Sequence, residues 1–164
     1  MGAIPGNYPS PNSLPILTRE NHTIKRSLKD QRFLGGIGNA YSDEILHHAR
    51  ISPMRQVKYL NDDDWNQLYL ACQDSLEFFT TLLDEKRSGD FQGTVTALVP
   101  EMAVLGQYGN PCPVCRHPVQ RIRYADNHCN YCAHCQNQYR LLADRGLSRL
   151  LKQDWPKRLE DLGQ

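Results

Sequence analysis

Apolar residues recur at three- and four-residue intervals in three stretches of the chain, the spacing of an amphipathic helix. The first stretch is short. Ile24 and Leu28 sit four apart behind Thr23, with Lys25, Arg26 and Lys29 placed largely on the wet side, and the pattern stops near Asp30-Gln31. The second runs from about Asn39 to Ala49, where Tyr41, Ile45, Leu46 and Ala49 repeat and Ser42-Asp43-Glu44 put acid into the expected first turn. The third is long. Behind Asn61, a good N-cap, come Asp62, Asp63 and Asp64, and then Trp65, Leu68, Tyr69, Cys72, Leu76, Phe79, Leu82 and Leu83 recur to about Lys86. Capping accounts for the acidic triplet without a metal or acid–base site. The stripe reads as core, with Cys72 a small buried apolar residue.

Between the first two helices lies Phe33-Leu34-Gly35-Gly36-Ile37-Gly38-Asn39, with three glycines in four positions. Each costs about 1 kcal/mol inside a helix, whereas a turn uses their freedom and lets another backbone approach closely. The unit reads as helix, glycine turn, helix, with amides at the start of the second helix arranged to bind an anion. A packing turn that touches no ligand explains the glycines equally well. Met1 to about Leu17, with Pro5, Pro9, Pro11 and Pro15, reads as an extended or disordered leader, so ordered structure is expected near Thr18. Phe91 to Met102 is weakly patterned and reads as a connector. Near the end, Leu147, Leu150 and Leu151 suggest a short helix bearing Arg149 and Lys152, broken by Trp155-Pro156, with a last turn over Arg158 to Leu162.

Two Cys-x-x-Cys pairs, Cys112/Cys115 and Cys132/Cys135, flank sixteen residues, Arg116 to Tyr131. Two such turns can close a tetrahedral sulfur shell around one zinc ion. A rival shell uses Cys129, which forms its own Cys-x-x-Cys with Cys132, and His128 and His134 are within reach. Four thiolates leave no open coordination position, so the zinc is expected to be structural. Arg116, Arg121 and Arg123 fall between the pairs with Asp126 the lone acid, a way to present positive charge to a phosphate backbone.

Composition adds limits. The chain has 164 residues, is 40% hydrophobic and carries a formal net charge of +1, so nucleic-acid binding must be argued from charge distribution. That distribution is polarised: Arg116 to Arg158 is basic, and Asn61 to Asp90 is acidic. No apolar run approaches the roughly eighteen residues of a membrane span, and Met1 does not open a signal peptide. Six cysteines without a secretion signal favour reduced, metal-binding thiols and a cytoplasmic location.

Ile24-Lys25-Arg26-Ser27-Leu28-Lys29-Asp30-Gln31, then Gly36 through Leu46, then Ala49-Arg50-Ile51-Ser52-Pro53 resemble the helix–two-turn–helix module of the formamidopyrimidine-DNA glycosylase/endonuclease VIII family. Gly106, Gly109-Asn110-Pro111-Cys112 and the stretch to Cys135-Gln136 are similar to that family's C-terminal zinc finger. The resemblance implies a mostly α fold. Its parts would be a leader over 1–17, a helix–two-turn–helix DNA-binding domain over 18–100, a four-cysteine zinc-finger β-hairpin lobe over 101–138 and a short basic helical extension over 139–164. It implies duplex DNA, damaged or abasic, as partner through the phosphate backbone, one structural zinc and a monomer. Asn39 matches the family's phosphate-contacting asparagine, with Gly36 and Gly38 beside it, and Lys25 matches a basic position of the first helix.

Two departures qualify this. The family's chemistry resides in an N-terminal domain that begins with proline and glutamate after the initiator methionine, the proline amine attacking the sugar. This chain begins Met1-Gly2-Ala3-Ile4-Pro5, and the nitrogen of Pro5 is locked in a peptide bond. No catalytic residue is therefore expected, and the chain is read as the DNA-holding portion of a base-excision glycosylase/AP lyase. Asn127 stands where many members carry an arginine, and Leu105-Gly106-Gln107 replaces Tyr-Gly-Arg, so the finger's grip is expected to shift to Arg121 and Arg123. The alternatives are a stand-alone, non-catalytic nucleic-acid-binding or regulatory module and a zinc-stabilised interaction domain with no nucleic-acid role.

Overall fold

A computed structural model describes residues 14–30, 32, 37–88, 101–124, 127–144, 149–154 and 156–163. The leader before Leu14, Gly35 and Gly36 of the glycine turn, the connector 89–100, and Asp126, Leu147 and Trp155 lie outside the described residues.

Helix α1 (Ile24–Lys29) starts at Thr23, whose hydroxyl accepts from the Arg26 amide at 3.4 Å. It ends at Asp30, as its apolar spacing predicts. Helix α2 (Asn39–Ala49) ends at Arg50, which takes the left-handed conformation at φ 57° and returns its amide to His47 and Leu46. Helix α3 (Asp62–Ser88) opens on a reciprocal cap. The Asp64 amide donates to Asn61 Oδ1 at 2.8 Å, and the Asn61 amide donates to Asp64 Oδ2 at 3.0 Å. Within the acidic triplet Asp64 is thus the capping residue, and Asp62 and Asp63 stand in the helix's first turn.

The main core joins these helices. Ile24 and Leu28 of α1, Ile45, Leu46 and Ala49 of α2, and Leu68, Ala71 and Cys72 of α3 are buried together, with Trp65, Tyr69 and Leu76 packed around them. Leu17 belongs to the same core and is fully buried on a 3-10 helix, Leu14–Arg19. Ordered structure therefore reaches back past Thr18, because one apolar residue of the proline-rich stretch finds a place under α1. Burying each large aliphatic side chain contributes about 1.5–3 kcal/mol.

Past the connector, strands β1 (Gln120–Tyr124) and β2 (Asn127–Tyr131) form a two-stranded antiparallel sheet, with Gln120 opposite Tyr131 and Tyr124 opposite Asn127. Helix α4 (Ala133–Asn137) follows the sheet directly. Alternation along the strands sends Ile122, Cys129 and Tyr131 to one side, where Met54, Leu141, Leu142 and Leu159 pack on them. Arg121 and Arg123 project from the opposite side, in register with Asn130 and His128.

The end of the chain packs on this sheet. Arg140 bridges Arg158, the Leu141 amide donates to the Lys157 carbonyl at 2.7 Å, and the Leu142 amide donates to the Tyr131 hydroxyl at 2.8 Å. The expected last turn is a 3-10 helix, Leu159–Gly163. Leu150 and Leu151 are exposed at 79% and 44%, so these two members of the stripe read there as amphipathic are not buried. Tyr131→Phe removes the acceptor for a half-buried amide; it should cost about 1 kcal/mol and accelerate hydrogen exchange at Leu142. Unchanged exchange there would mean that other contacts hold the terminal segment.

Candidate metal centre and nucleic-acid interface

The four cysteines of the two Cys-x-x-Cys turns converge. The Sγ atoms of Cys112, Cys115, Cys132 and Cys135 all lie within 4.8 Å of one another. Four sulfurs about 2.3 Å from a tetrahedral zinc stand about 3.8 Å apart. Cys112 and Cys135 are 3.9 Å apart and Cys115 and Cys132 are 3.4 Å apart, separations that suit a zinc shell and far exceed a disulfide bond. Cys129 is excluded: it is fully buried opposite Ile122 in the other cluster, where burial pushes its thiol up to about 12. His128 is not among the clustered ligand atoms; His134, stacked on His117 at 4.8 Å between ring centres, groups with it and with Cys115, a second set that shares one cysteine with the four-sulfur shell.

The donor chemistry agrees. Burial pushes the Cys132 thiol up to about 12 and raises Cys135 as well. Burial also opposes ionisation of Cys112, yet the Cys115 and Val114 amides draw its thiol below the ordinary value. Four thiolates this close require a cation among them, and one zinc supplies two positive charges. The ion would be structural. Its shell sits on a small apolar cluster, Val104, Cys112, Val119 and Cys132, separate from the Ile122, Cys129 and Tyr131 cluster of the sheet, so burial alone does little to hold the two knuckles together.

Helix α2 holds this lobe through residues whose roles periodicity does not disclose. The Glu44 carboxylate accepts three backbone hydrogen bonds, from Ala103 at 2.8 Å and from Val104 and Leu105 at 2.9 Å each. Burial pushes its carboxyl up, and those three amides pull it down. Asp43 Oδ2 accepts from both the backbone and the side chain of Asn130, at 3.0 and 3.1 Å. His47 Nε2 lies 3.2 Å from Cys112 Sγ. Burial pushes the imidazole down to about 4, so the ring is neutral near pH 7, and its N–H is the donor that the ligand sulfur can accept. Behind the last ligand, Gln136 accepts from the Cys132 amide at 2.8 Å and donates to the Ile51 carbonyl at 3.0 Å.

These contacts revise two sequence expectations. Asp43 and Glu44 lie past the first turn of a helix that starts at Asn39, and they serve as buried acceptors across an interface. Lys25, read as facing water and as a DNA contact, is fully buried, ion-paired to Asp43 and 3.2 Å from Ser42 Oγ. The reason is electrostatic: a carboxylate inside the interface needs a counter-charge, and Lys25 supplies it. A signal existed, since Asn39, Asp43 and His47 recur every four residues and form a polar stripe along α2.

The remaining expected contacts divide. Gly36 lies outside the described residues. Gly38 caps α2 at φ −91° with no side-chain hydrogen bond, and a Cβ built on it meets nothing within 4 Å. Asn39 donates from Nδ2 to the His128 carbonyl at 3.1 Å, while its Oδ1 is buried without a partner. The start of α2 therefore abuts β2 directly. Arg121 and Arg123 are exposed; the Arg123 amide donates to Asp144 at 2.8 Å, which pins the strand from its far edge. Asn127 is exposed at the start of β2 and alternates onto the other side of the sheet from the two arginines.

Residues 12–82 match the formamidopyrimidine-DNA glycosylase H2TH domain model, and residues 109–138 match the zinc finger found in FPG and IleRS. An uncharacterized formamidopyrimidine-DNA glycosylase-like protein of Mycobacterium tuberculosis is 37% identical over 146 residues, which are 84% of this chain and 85% of that one. The formamidopyrimidine-DNA glycosylase of Thermus thermophilus is 34% identical over 119 residues, 70% of this chain and 45% of its own. The chain thus spans less than half the length of that glycosylase. The crystal structure of the Thermus thermophilus MutM (Fpg) protein superposes with a TM-score of 0.65 at 30% identity, covering 77% of this chain and 49% of that one. Lactococcus lactis Fpg in complex with abasic-site DNA gives a TM-score of 0.66 at 26% identity, over 79% and 48%. His47→Ala should release zinc to a competing chelator about 10–100 times faster, with His47→Gln between it and the parent; equal release would remove the imidazole from any role at the metal.

Proposed function

This chain belongs to the formamidopyrimidine-DNA glycosylase family, and we propose that it grips duplex DNA by the phosphate backbone, at a damaged or abasic site, as the DNA-holding part of base-excision repair. Helices α1 and α2 with the intervening turn act as the helix–two-turn–helix, the sheet and its cysteines act as the zinc-finger hairpin lobe, and the two form a pair of jaws. The observation that carries the reading is the bare start of α2. Gly38 supplies no side-chain cap and leaves open space where a Cβ would stand, so the first-turn amides are available to an outside acceptor such as a phosphate oxygen.

Asn39 ties that helix end to the His128 carbonyl, and Arg123 lies opposite His128, one strand spacing of about 5 Å away. An anion at the helix end is therefore close to the guanidinium side of the sheet. Arg121 and Arg123 extend the positive surface, Asn127 adds a polar contact at the rim, and Asn39 positions the jaws. Lys25 serves indirectly, by neutralising the acid that holds the finger. Contacts of this kind set register and orientation on the duplex and read no sequence. The role is compatible with a cytoplasmic location and a monomer; among the described residues no helix is long and apolar enough to cross a membrane.

A second reading, a stand-alone, non-catalytic nucleic-acid-binding module, is favoured by the Mycobacterium tuberculosis relative. The aligned 146 residues make up nearly the same share of both chains, so that protein is of similar length. Both readings assign grip without excision to this chain. Borohydride trapping on an abasic duplex is expected to yield no covalent adduct, and an adduct formed by this chain alone would overturn that assignment. Gly38→Ala tests the grip itself. Its φ suits alanine and nothing crowds the new methyl, so stability should change by less than about 1 kcal/mol. Affinity for duplex DNA should nonetheless fall about tenfold at 50–100 mM salt, the range in which phosphate contacts dominate binding. Undiminished affinity in a folded variant would move the phosphate away from this helix end.

A further inference from the structure

The turn that leads into the first zinc-binding knuckle holds an aromatic ring out in solvent. Gly106 at φ 72° and Gly109 at φ 81° take left-handed conformations that an L side chain rarely adopts. Around them the Gln107 amide donates to the Val104 carbonyl at 3.1 Å, the Asn110 amide to the Gln107 carbonyl at 2.9 Å, and the Gly109 amide to the Val119 carbonyl at 2.9 Å. A further pair, the Asn110 side chain to Gln107 Oε1 at 2.9 Å, locks the turn from outside. The tip of this hydrogen-bonded turn is Tyr108, 55% exposed.

The Arg121 guanidinium carbon lies 4.6 Å from the centre of the Tyr108 ring. One face of the ring thus carries a cation, and more than half of the residue's surface stays open. Arg121 is two residues from Arg123 on the same side of β1, and Arg123 faces the strand that Asn39 touches. The ring therefore stands in line with the positively charged side of the sheet.

We propose that Tyr108 and Arg121 form a stacking platform for a nucleobase that has left the helical stack next to the gripped phosphates. The inference rests on the phosphate-gripping reading above and adds to it a site for an unpaired base. Three features favour a base over an apolar protein surface. The ring is flat, open and held by a hydrogen-bonded turn, so stacking on it costs little ordering. Its neighbour is a guanidinium, which stacks on bases as well as on tyrosine and pairs with phosphate. Its setting is cationic, as single-stranded nucleic-acid grooves are, where aromatic rings and backbone-tracking charges alternate. Stacking of this kind tolerates any base, because every base offers a π face.

The test uses the full zinc-loaded chain and two probes, an intact duplex and the same duplex carrying one unpaired 2-aminopurine. The parent should bind the second about tenfold more tightly and quench its fluorescence. Tyr108→Ala should lose that tenfold preference and the quenching while intact-duplex affinity changes less than about twofold; Tyr108→Phe should keep both. Zinc content and circular dichroism equal to the parent's show that the variants are folded. A parent that binds intact duplex without preferring the unpaired base overturns the platform and leaves the phosphate grip standing. A Tyr108→Ala variant that keeps the preference, or that weakens both duplexes equally, overturns the platform as well. A parent that binds neither probe overturns both.

Discussion

A carboxylate buried on α2 sets the geometry of this molecule. Asp43 is 1% exposed and meets two lobes at once, with Lys25 of α1 on one side and the backbone and side chain of Asn130 on the other. A charge so placed cannot be left half-satisfied. Removing one partner of a buried pair costs about 3–5 kcal/mol, a large share of the 5–15 kcal/mol that holds a domain together. The helical lobe and the sheet lobe therefore have one compatible arrangement, and Glu44 and His47 on the same helix reinforce it through the 103–105 amides and Cys112. The spacing between α2's start and the arginines of β1, on which the proposed grip depends, follows from that polar seam more than from the apolar core.

The zinc centre is the other half of the same constraint. Around the sulfurs only Val104 and Val119 are buried with Cys112 and Cys132, while Ile122, Cys129, Tyr131 and Ala133 pack in a separate cluster, so the metal organises the knuckle end of the lobe. The His47 imidazole and the Gln136 amide extend that organisation outward, one to α2 and one to the Ile51 carbonyl. Metal and helical core are thus linked through ordinary hydrogen bonds to the first and third cysteines. The short extension after α4 adds a separate brace, packing leucines on the far side of the sheet.

Much of this was legible in the chain. Helical periodicity located α1, α2 and α3 closely, because their stripes face one core and their caps, Thr23 and Asn61, are sequence-local. Two Cys-x-x-Cys turns pointed to the four cysteines that converge, because each such turn brings two sulfurs together by itself. What could not be read was every contact that depends on how the lobes meet. Lys25 on a six-residue helix looks exposed until a carboxylate 18 residues later is set against it. Asp43 and Glu44 look like helix-dipole residues until the start of the helix is known. His47 draws no reading from the sequence because its partner lies 65 positions away, and no local pattern names that partner.

That separation bears on how the chain comes off the ribosome. Asp43 waits 87 residues for Asn130, Ile51 waits 85 for Gln136, and Glu44 waits 59 for Ala103. During synthesis α2 can pack its apolar side on α3 long before its acidic side meets anything but water and Lys25. Charge keeps the unfinished surface hydrated, where an apolar stripe would expose it to self-association. The same acids become costly once buried, and are then relieved by the arriving finger. The 103–105 amides become available to Glu44 in synthesis before the zinc-shell cysteines do, whereas the Asn130 and Gln136 contacts can close only once the second Cys-x-x-Cys turn and its flanks are made.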